Sequence, residues 1–271
     1  MNRAEGARPK KRFGQHFLHD QNVVERILRA LNPRTDDHIV EIGPGRGALT
    51  APLLRQISHL RVIELDRDVI PLLRQACNQH PGLEIIQADA LKFDFGALTK
   101  ADRKIRLLGN LPYNISTPLL FHLLNHADGI DDMLFMLQKE VVDRMAAGAG
   151  DAAYGRLSVS LAARAKVTPL FKVPPGAFNP PPKVDSAIVR LEPIPPPFPI
   201  RHWADFNTVV AAAFGQRRKT LANTLRGKLD ADDFHALGID ARKRPERITP
   251  AEFAALSNRY GERVTTVQTR A

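Results

Sequence analysis

One cysteine in 271 residues, Cys77, leaves no partner for a disulfide within the chain and no thiolate set for a zinc site. It sits in a stretch of helical spacing, 68–80, where a small hydrophobe packed as filler is the simplest reading. Aromatic residues are few, at 6%, with a single tryptophan, beside an ordinary globular hydrophobic share of 44%. No run of about 18 apolar residues offers a membrane span. The basic start, Met1 to Arg12, leads into no apolar segment and does not read as a secretory signal. The expectation is therefore a cytoplasmic protein with no membrane attachment, and a monomer by default.

Acidic residues are also in deficit. The chain carries 39 Lys and Arg against 29 Asp and Glu, a formal net charge of +10, which favours a polyanionic partner. The charge is clustered. Arg3, Arg8, Lys10, Lys11 and Arg12 open the chain, and Arg217, Arg218, Lys219, Arg226 and Lys228 follow one another without an intervening acid. Each cluster alone reads equally well as a solvated face.

The length exceeds a usual single domain of roughly 100–200 residues, so a large domain with a smaller one is expected. Apolar residues at Val23, Val24, Ile27, Leu28 and Leu31 give a helical stripe over 21–31 with Asp20 as its N-cap. Short apolar strands are predicted at 38–42, 60–65, 84–87 and 105–108, alternating with helices at 48–57 and from Asp68. Such alternation is the pattern of a mainly parallel sheet covered on both faces. Further strands are predicted at 133–137, 167–173 and 184–191, and helices at 118–126, 140–147 and 157–164.

Residues 193–199, with five prolines, cannot sustain a helix or central strand and read as a stiff linker rather than a recognition motif. Beyond it, Trp203, Phe206, Val209, Val210, Ala213 and Phe214 fall at helical spacing. The expected organisation is an α/β domain over 1–192, the linker, and a small α-helical domain over 200–271.

Two groups of residues carry chemistry. Gly43, Gly45 and Gly47 follow a strand and open a helix, where missing side chains allow a sharp turn and close ligand approach. Their spacing, G-x-G-x-G, departs from the G-x-G-x-x-G of a pyrophosphate loop. Glu64 ends the next strand, where a carboxylate can accept hydrogen bonds from both hydroxyls of a ribose. Asp89 ends the one after it and can accept from an exocyclic adenine amine.

This loop, Glu41-Ile42-Gly43-Pro44-Gly45-Arg46-Gly47, with its two acids resembles the class I (Rossmann-like) S-adenosylmethionine-dependent methyltransferases. That resemblance implies that the loop, Gly45 included, holds the cofactor, with Gly43 touching its methionine part, Glu64 its ribose and Asp89 its adenine. A nicotinamide dinucleotide is the alternative ligand.

The second group is Asn110-Leu111-Pro112-Tyr113, at the end of the fourth strand. An aromatic amine is a poor nucleophile because its lone pair is delocalised into the ring. Two acceptors on its N–H bonds, the Asn110 side-chain oxygen and the Leu111 carbonyl, would localise that pair. Pro112 stiffens the turn and Tyr113 offers a flat stacking surface, worth roughly 1–3 kcal/mol per base. Two basic clusters flanking such a base site favour contact with RNA phosphates.

With residues 13–18 (Phe-Gly-Gln-His-Phe-Leu), 137–141, 180–187 and 215–219 added, the chain resembles the rRNA adenine N-methyltransferase family, on the small-subunit dimethyltransferase side. A related large-subunit enzyme shares the loop and tetrapeptide, but segments 137–141 and 215–219 favour the small-subunit type. A non-catalytic RNA-binding assembly factor is the alternative of another class, against which Glu64, Asp89, Asn110 and Tyr113 argue.

The resemblance implies cofactor contacts from His16, Leu18, Gly43, Glu64, Asp89 and Asn110, with Phe178 sandwiching the base opposite Tyr113. It implies no metal. It also implies dimethylation of two adjacent adenosines in a hairpin loop near the 3′ end of 16S rRNA, on an immature small subunit. Arg12, Arg217, Arg218, Lys219 and Arg226 are the expected RNA contacts.

Overall fold

The computed structural model describes residues 16–99, 103–216 and 218–270, the side chains of 266–270 excepted. A two-residue strand β1 (Phe17–Leu18) leads into helix α1 (Gln21–Leu31). The Asp20 carboxylate caps α1 by accepting from the backbone N–H groups of Asn22 (2.9 Å) and Val23 (3.2 Å). The predicted stripe of Val23, Val24, Ile27, Leu28 and Leu31 is buried, and Asn32 closes the helix in the left-handed conformation.

The chain continues through β2 (His38–Ile42), α2 (Thr50–Leu53), β3 (Leu60–Glu64), α3 (Ile70–Ala76), β4 (Leu83–Gln87), β5 (Ile105–Asn110), α4 (Ser116–Leu124) and β6 (Ile130–Gln138). Then follow α5 (Lys139–Ala146), α6 (Arg156–Ala162), β7 (Ala165–Val173), β8 (Phe178–Asn179) and β9 (Ser186–Pro193). The last elements are helices α7 (Trp203–Ala213), α8 (Leu221–Thr224), α9 (Ala231–Ala236) and α10 (Pro250–Arg270).

Seven strands form one sheet in the order β4-β3-β2-β5-β6-β9-β7. The pairs from β4 to β6 are parallel, and β9 runs antiparallel to β6. Chain order reverses between β2 and β5, and a crevice opens there beyond the carboxyl ends of the strands. Separately, β1 pairs antiparallel with β8, Phe17 opposite Asn179 and Leu18 opposite Phe178. The buried face of α1 packs with apolar residues of β2, β3 and β6 in a continuous aliphatic core.

Two compact units divide the chain. One comprises the described residues through Val142 with Thr168–Pro193, and the other comprises Asp143–Val167 with the residues from Ile194 on. Sequence alone assigns 143–167 to the α/β domain. These residues instead share a core with the C-terminal helices, through Tyr154, Val159 and Ala163 beside Phe206, Val210 and Phe253. The Tyr154 hydroxyl also donates to the Ile248 carbonyl at 2.8 Å. Residues 193–199 are anchored as well: Pro193 ends β9, and Asn258 donates to the Pro199 carbonyl (2.9 Å) while accepting from Arg201 N–H (2.9 Å). Among the described residues no helix is long and apolar enough to cross a membrane.

At the amino end of the sheet Arg106 of β5 holds three elements together. Its guanidinium donates to Asp132 of β6 (2.7 Å), to Asp37 (2.6 Å) and to the Leu31 carbonyl at the end of α1 (2.7 Å). The bonds to Asp132 and Asp37 push the Arg106 pKa above its ordinary value against the effect of burial. A cation at a helix carboxyl terminus is favoured by the helix dipole, and the buried Asp132 needs it more. We predict that Arg106→Met leaves the buried Asp132 to the more distant Arg190 (3.7 Å) and the partly exposed Asp37 without its cation, and costs about 3 kcal/mol in urea unfolding. A decrease under about 1 kcal/mol, the range of an exposed pair, would contradict this.

Candidate active site

Beyond the carboxyl ends of β2, β3, β4 and β5 lies a cavity of about 320 Å³. The residues after β2 form its floor. Gly43, Gly45 and Gly47 all have positive φ, at 67°, 55° and 83°. A side chain at Gly45 would be strained, and its Cβ would come within 3.2 Å of the Phe17 ring. The loop therefore stays thin, and a ligand can approach its backbone.

Glu64 ends β3 and faces this loop. Its carboxylate accepts from Asp66 N–H (2.8 Å) and Gly45 N–H (3.3 Å). Burial pushes its pKa up, and those backbone bonds oppose the rise. A carboxylate has about four lone-pair sites, so two bonds leave capacity for a vicinal diol. Asp89, beyond β4, accepts from Leu91 N–H through one oxygen (3.0 Å), which fixes the turn and keeps the other oxygen as an acceptor.

Asn110 ends β5. Its side-chain N–H donates to the His16 carbonyl at 3.0 Å, an arrangement that makes its oxygen the acceptor for a ligand. Leu111 donates its N–H to the Met136 carbonyl (3.2 Å), so the tetrapeptide leaves the sheet from a fixed point. Ile115 N–H returns to the Pro112 carbonyl (3.2 Å), turning the chain toward α4. The Tyr113 hydroxyl lies 2.6 Å from the Ser186 hydroxyl, and its ring faces the His16 imidazole at 5.7 Å, inclined by 27°. His16 Nδ1 donates to the Pro180 carbonyl (2.8 Å), since a carbonyl can only accept.

The structure thus brings His16, Leu18, Gly43, Gly45, Glu64, Asp89, Asn110, Leu111, Pro112 and Tyr113 to the wall of one cavity. Phe178 is not there. It is 2% exposed and belongs to the aliphatic core, beside its strand partner Leu18. Arg218, Lys219 and Arg226 are exposed residues of the second unit. Arg12 and Arg217 lie outside the described residues.

Sequence reasoning missed several wall residues. Glu41, Phe17 and Asp66 also line the cavity. Glu41, the head of the glycine loop, could have been found from its position one residue before the first apolar-glycine step. It is 2% exposed and accepts from the Thr50 hydroxyl at 2.7 Å. Burial pushes its carboxyl from 4.5 to about 7, the Thr50 bond opposes this, and the neighbouring Glu64 adds to it.

A model of the ribosomal RNA adenine dimethylase family matches residues 6–262. The chain belongs to this family. Among its relatives, the ribosomal RNA small subunit methyltransferase A of Laribacter hongkongensis is 56% identical over 257 residues, 94% of this chain and 97% of that protein. The protein of the same name from Alcanivorax borkumensis is 54% identical over 252 residues, 93% and 90% of the two chains. A solved dimethyladenosine transferase from Plasmodium falciparum is 27% identical with a TM-score of 0.76, covering 91% of this chain and 98% of that one. The α/β class I methyltransferase fold expected from the sequence is the fold this dimethylase family member has.

Glu41 gives the site a pH signature. The folded protein keeps its proton up to about pH 7, whereas the unfolded chain releases it near 4.5. The stability contributed is full below the lower value and lost as pH rises to the higher one. Glu41→Gln removes this dependence. Its unfolding free energy relative to the parent should climb between those two pH values and then level off, by up to about 3 kcal/mol at about 1.4 per pH unit. Parallel stability curves for the two proteins would contradict the assignment.

Proposed function

We propose that this protein dimethylates the exocyclic amines of two adjacent adenosines in a hairpin loop near the 3′ end of 16S rRNA. The methyl donor is S-adenosylmethionine and the substrate an immature small ribosomal subunit. One observation carries the reading: Asn110, its amide oriented by His16, stands beside the glycine cradle and Glu64 on the wall of the same cavity.

The residues present fit the donor. Gly43 and Gly45 leave room for its amino-acid part, Glu64 has acceptor capacity for the ribose hydroxyls, and Asp89 keeps an oxygen for the adenine amine. Leu18 closes the apolar wall. When bound, the donor supplies a methyl on a positively charged sulfur.

The protein's part is to prepare the nucleophile. The Asn110 oxygen and Leu111 carbonyl accept the two N–H bonds of the target amine, so that its lone pair points at the methyl. Tyr113 stacks on the base and fixes its plane. No strong base is needed before attack, since the amine becomes acidic only once it carries the methyl. Orientation and fixed dipoles supply the acceleration.

Loop adenines cost less to extrude than paired ones, which suits a pocket acting on unstacked bases. Arg218, Lys219 and Arg226, with Arg12 and Arg217, hold the RNA through its phosphates and shape. The protein acts as a monomer in the cytoplasm.

Mass spectrometry of 16S rRNA after incubating protein, donor and unmethylated small subunits tests the reading; it should find two neighbouring dimethyladenosines near the 3′ end. Methyl groups found only on large-subunit RNA, or none at all, would overturn it. Asn110→Ala should lower turnover about 100-fold or more while RNA affinity stays nearly constant. Equal loss of binding and turnover would remove Asn110 from the reacting amine. Replacing Arg218, Lys219 and Arg226 by Ala should weaken RNA binding and flatten its salt dependence, by about 0.7–0.9 in log–log slope for each phosphate no longer neutralised. An unchanged slope would take these residues out of the interface.

A further inference from the structure

Tyr113 lies in the turn between β5 and α4, outside any regular element. Such a ring would ordinarily sample several orientations about its two side-chain torsions. Here its far end is tied. The hydroxyl lies 2.6 Å from that of Ser186, the short separation typical of an O–H···O bond. Ser186 is 0% exposed and opens β9, opposite Gln138 in the antiparallel ladder with β6.

At the near end the Tyr113 carbonyl accepts from the Ser116 hydroxyl at 3.1 Å. A backbone anchor at one end and a hydroxyl anchor at the other fix both torsions. Burial also pushes the phenol pKa up, so the group stays a neutral hydroxyl and the bond persists. The ring therefore borrows the rigidity of the sheet.

We propose that Ser186 is a positioning residue for methyl transfer, its hydroxyl setting the plane of the Tyr113 ring and through it the alignment of the target amine. This rests on the reading that Tyr113 stacks on the adenine. The effect belongs in the chemical step more than in binding. A tilted ring still presents a stacking face, whereas a misplacement of about 1 Å at the reacting atoms can cost on the order of 100-fold in rate.

Removing the bond from either side tests this. Ser186→Ala and Tyr113→Phe should each lower kcat about 10- to 100-fold, with KM for the small subunit and donor affinity changed less than about 3-fold. The double variant should be no slower than the slower single, because both changes delete one bond. Ser186→Thr, which keeps the hydroxyl, should recover most of the rate.

Additive losses, full activity of Tyr113→Phe, or a fall in donor affinity matching the fall in kcat would overturn the inference. Tyr113→Phe keeps it testable even where Ser186→Ala does not fold, since it removes the bond without touching β9. Tyr113→Ala separates the two layers. If that variant is impaired while Tyr113→Phe is fully active, only the role of Ser186 fails; if it is fully active, the stacking reading fails and takes the inference with it.

Discussion

Parallel pairing of β2 with β3 on one side and β5 on the other is the constraint on which the site depends. In that register Glu41 sits opposite both Val62 and Leu108, so the loops after the three strands emerge side by side. The glycine loop, Glu64 and Asn110 therefore meet although they are distant in sequence. Close approach of β5 to β2 needs Gly109. A Cβ there would lie 2.6 Å from the Ile42 carbonyl oxygen, a backbone atom that cannot move aside without breaking the sheet. At the other end of β5, Arg106 ties the same strand to β6 and to α1, so the strand bearing Asn110 is held at both ends.

What was legible in the sequence follows from local physics. Helix α1 was readable because its cap and its stripe lie within one short window, and the strands from β2 to β5 because apolar runs end in turn residues. That Glu64 and Asp89 would share one cavity wall was readable too, since Glu64 ends β3 and Asp89 follows β4 by two residues. Helix α2 was overestimated: residues 48–57 are apolar throughout most of their length, but only Thr50–Leu53 is regular helix, and the chain then tightens, Gln56 N–H reaching the Leu53 carbonyl. The burial of Phe178 was not legible. An aromatic beside a proline run can face a pocket or a core, and its place in the aliphatic core follows from packing among residues distant in sequence. The helix within 143–167 was visible from its period, but an apolar stripe does not say which core it will join.

Charge bears on how one chain would serve the two ligands of opposite sign that the proposed function requires. The chain as a whole is at +10, yet the cavity wall carries Glu64, Asp66 and Asp89 against Arg46, with Glu41 holding its proton up to about pH 7. Two unit charges about 4 Å apart interact by roughly 4 kcal/mol near a protein surface, so a pyrophosphate would be repelled by these acids. That disfavours the dinucleotide considered from the glycine loop alone, and it suits a donor whose reacting centre is a cation. RNA phosphates face the same barrier. On the proposed function, a basic exterior draws the RNA backbone from a distance while the acidic cavity repels its phosphates, so that an uncharged base is the part suited to cross between the two fields.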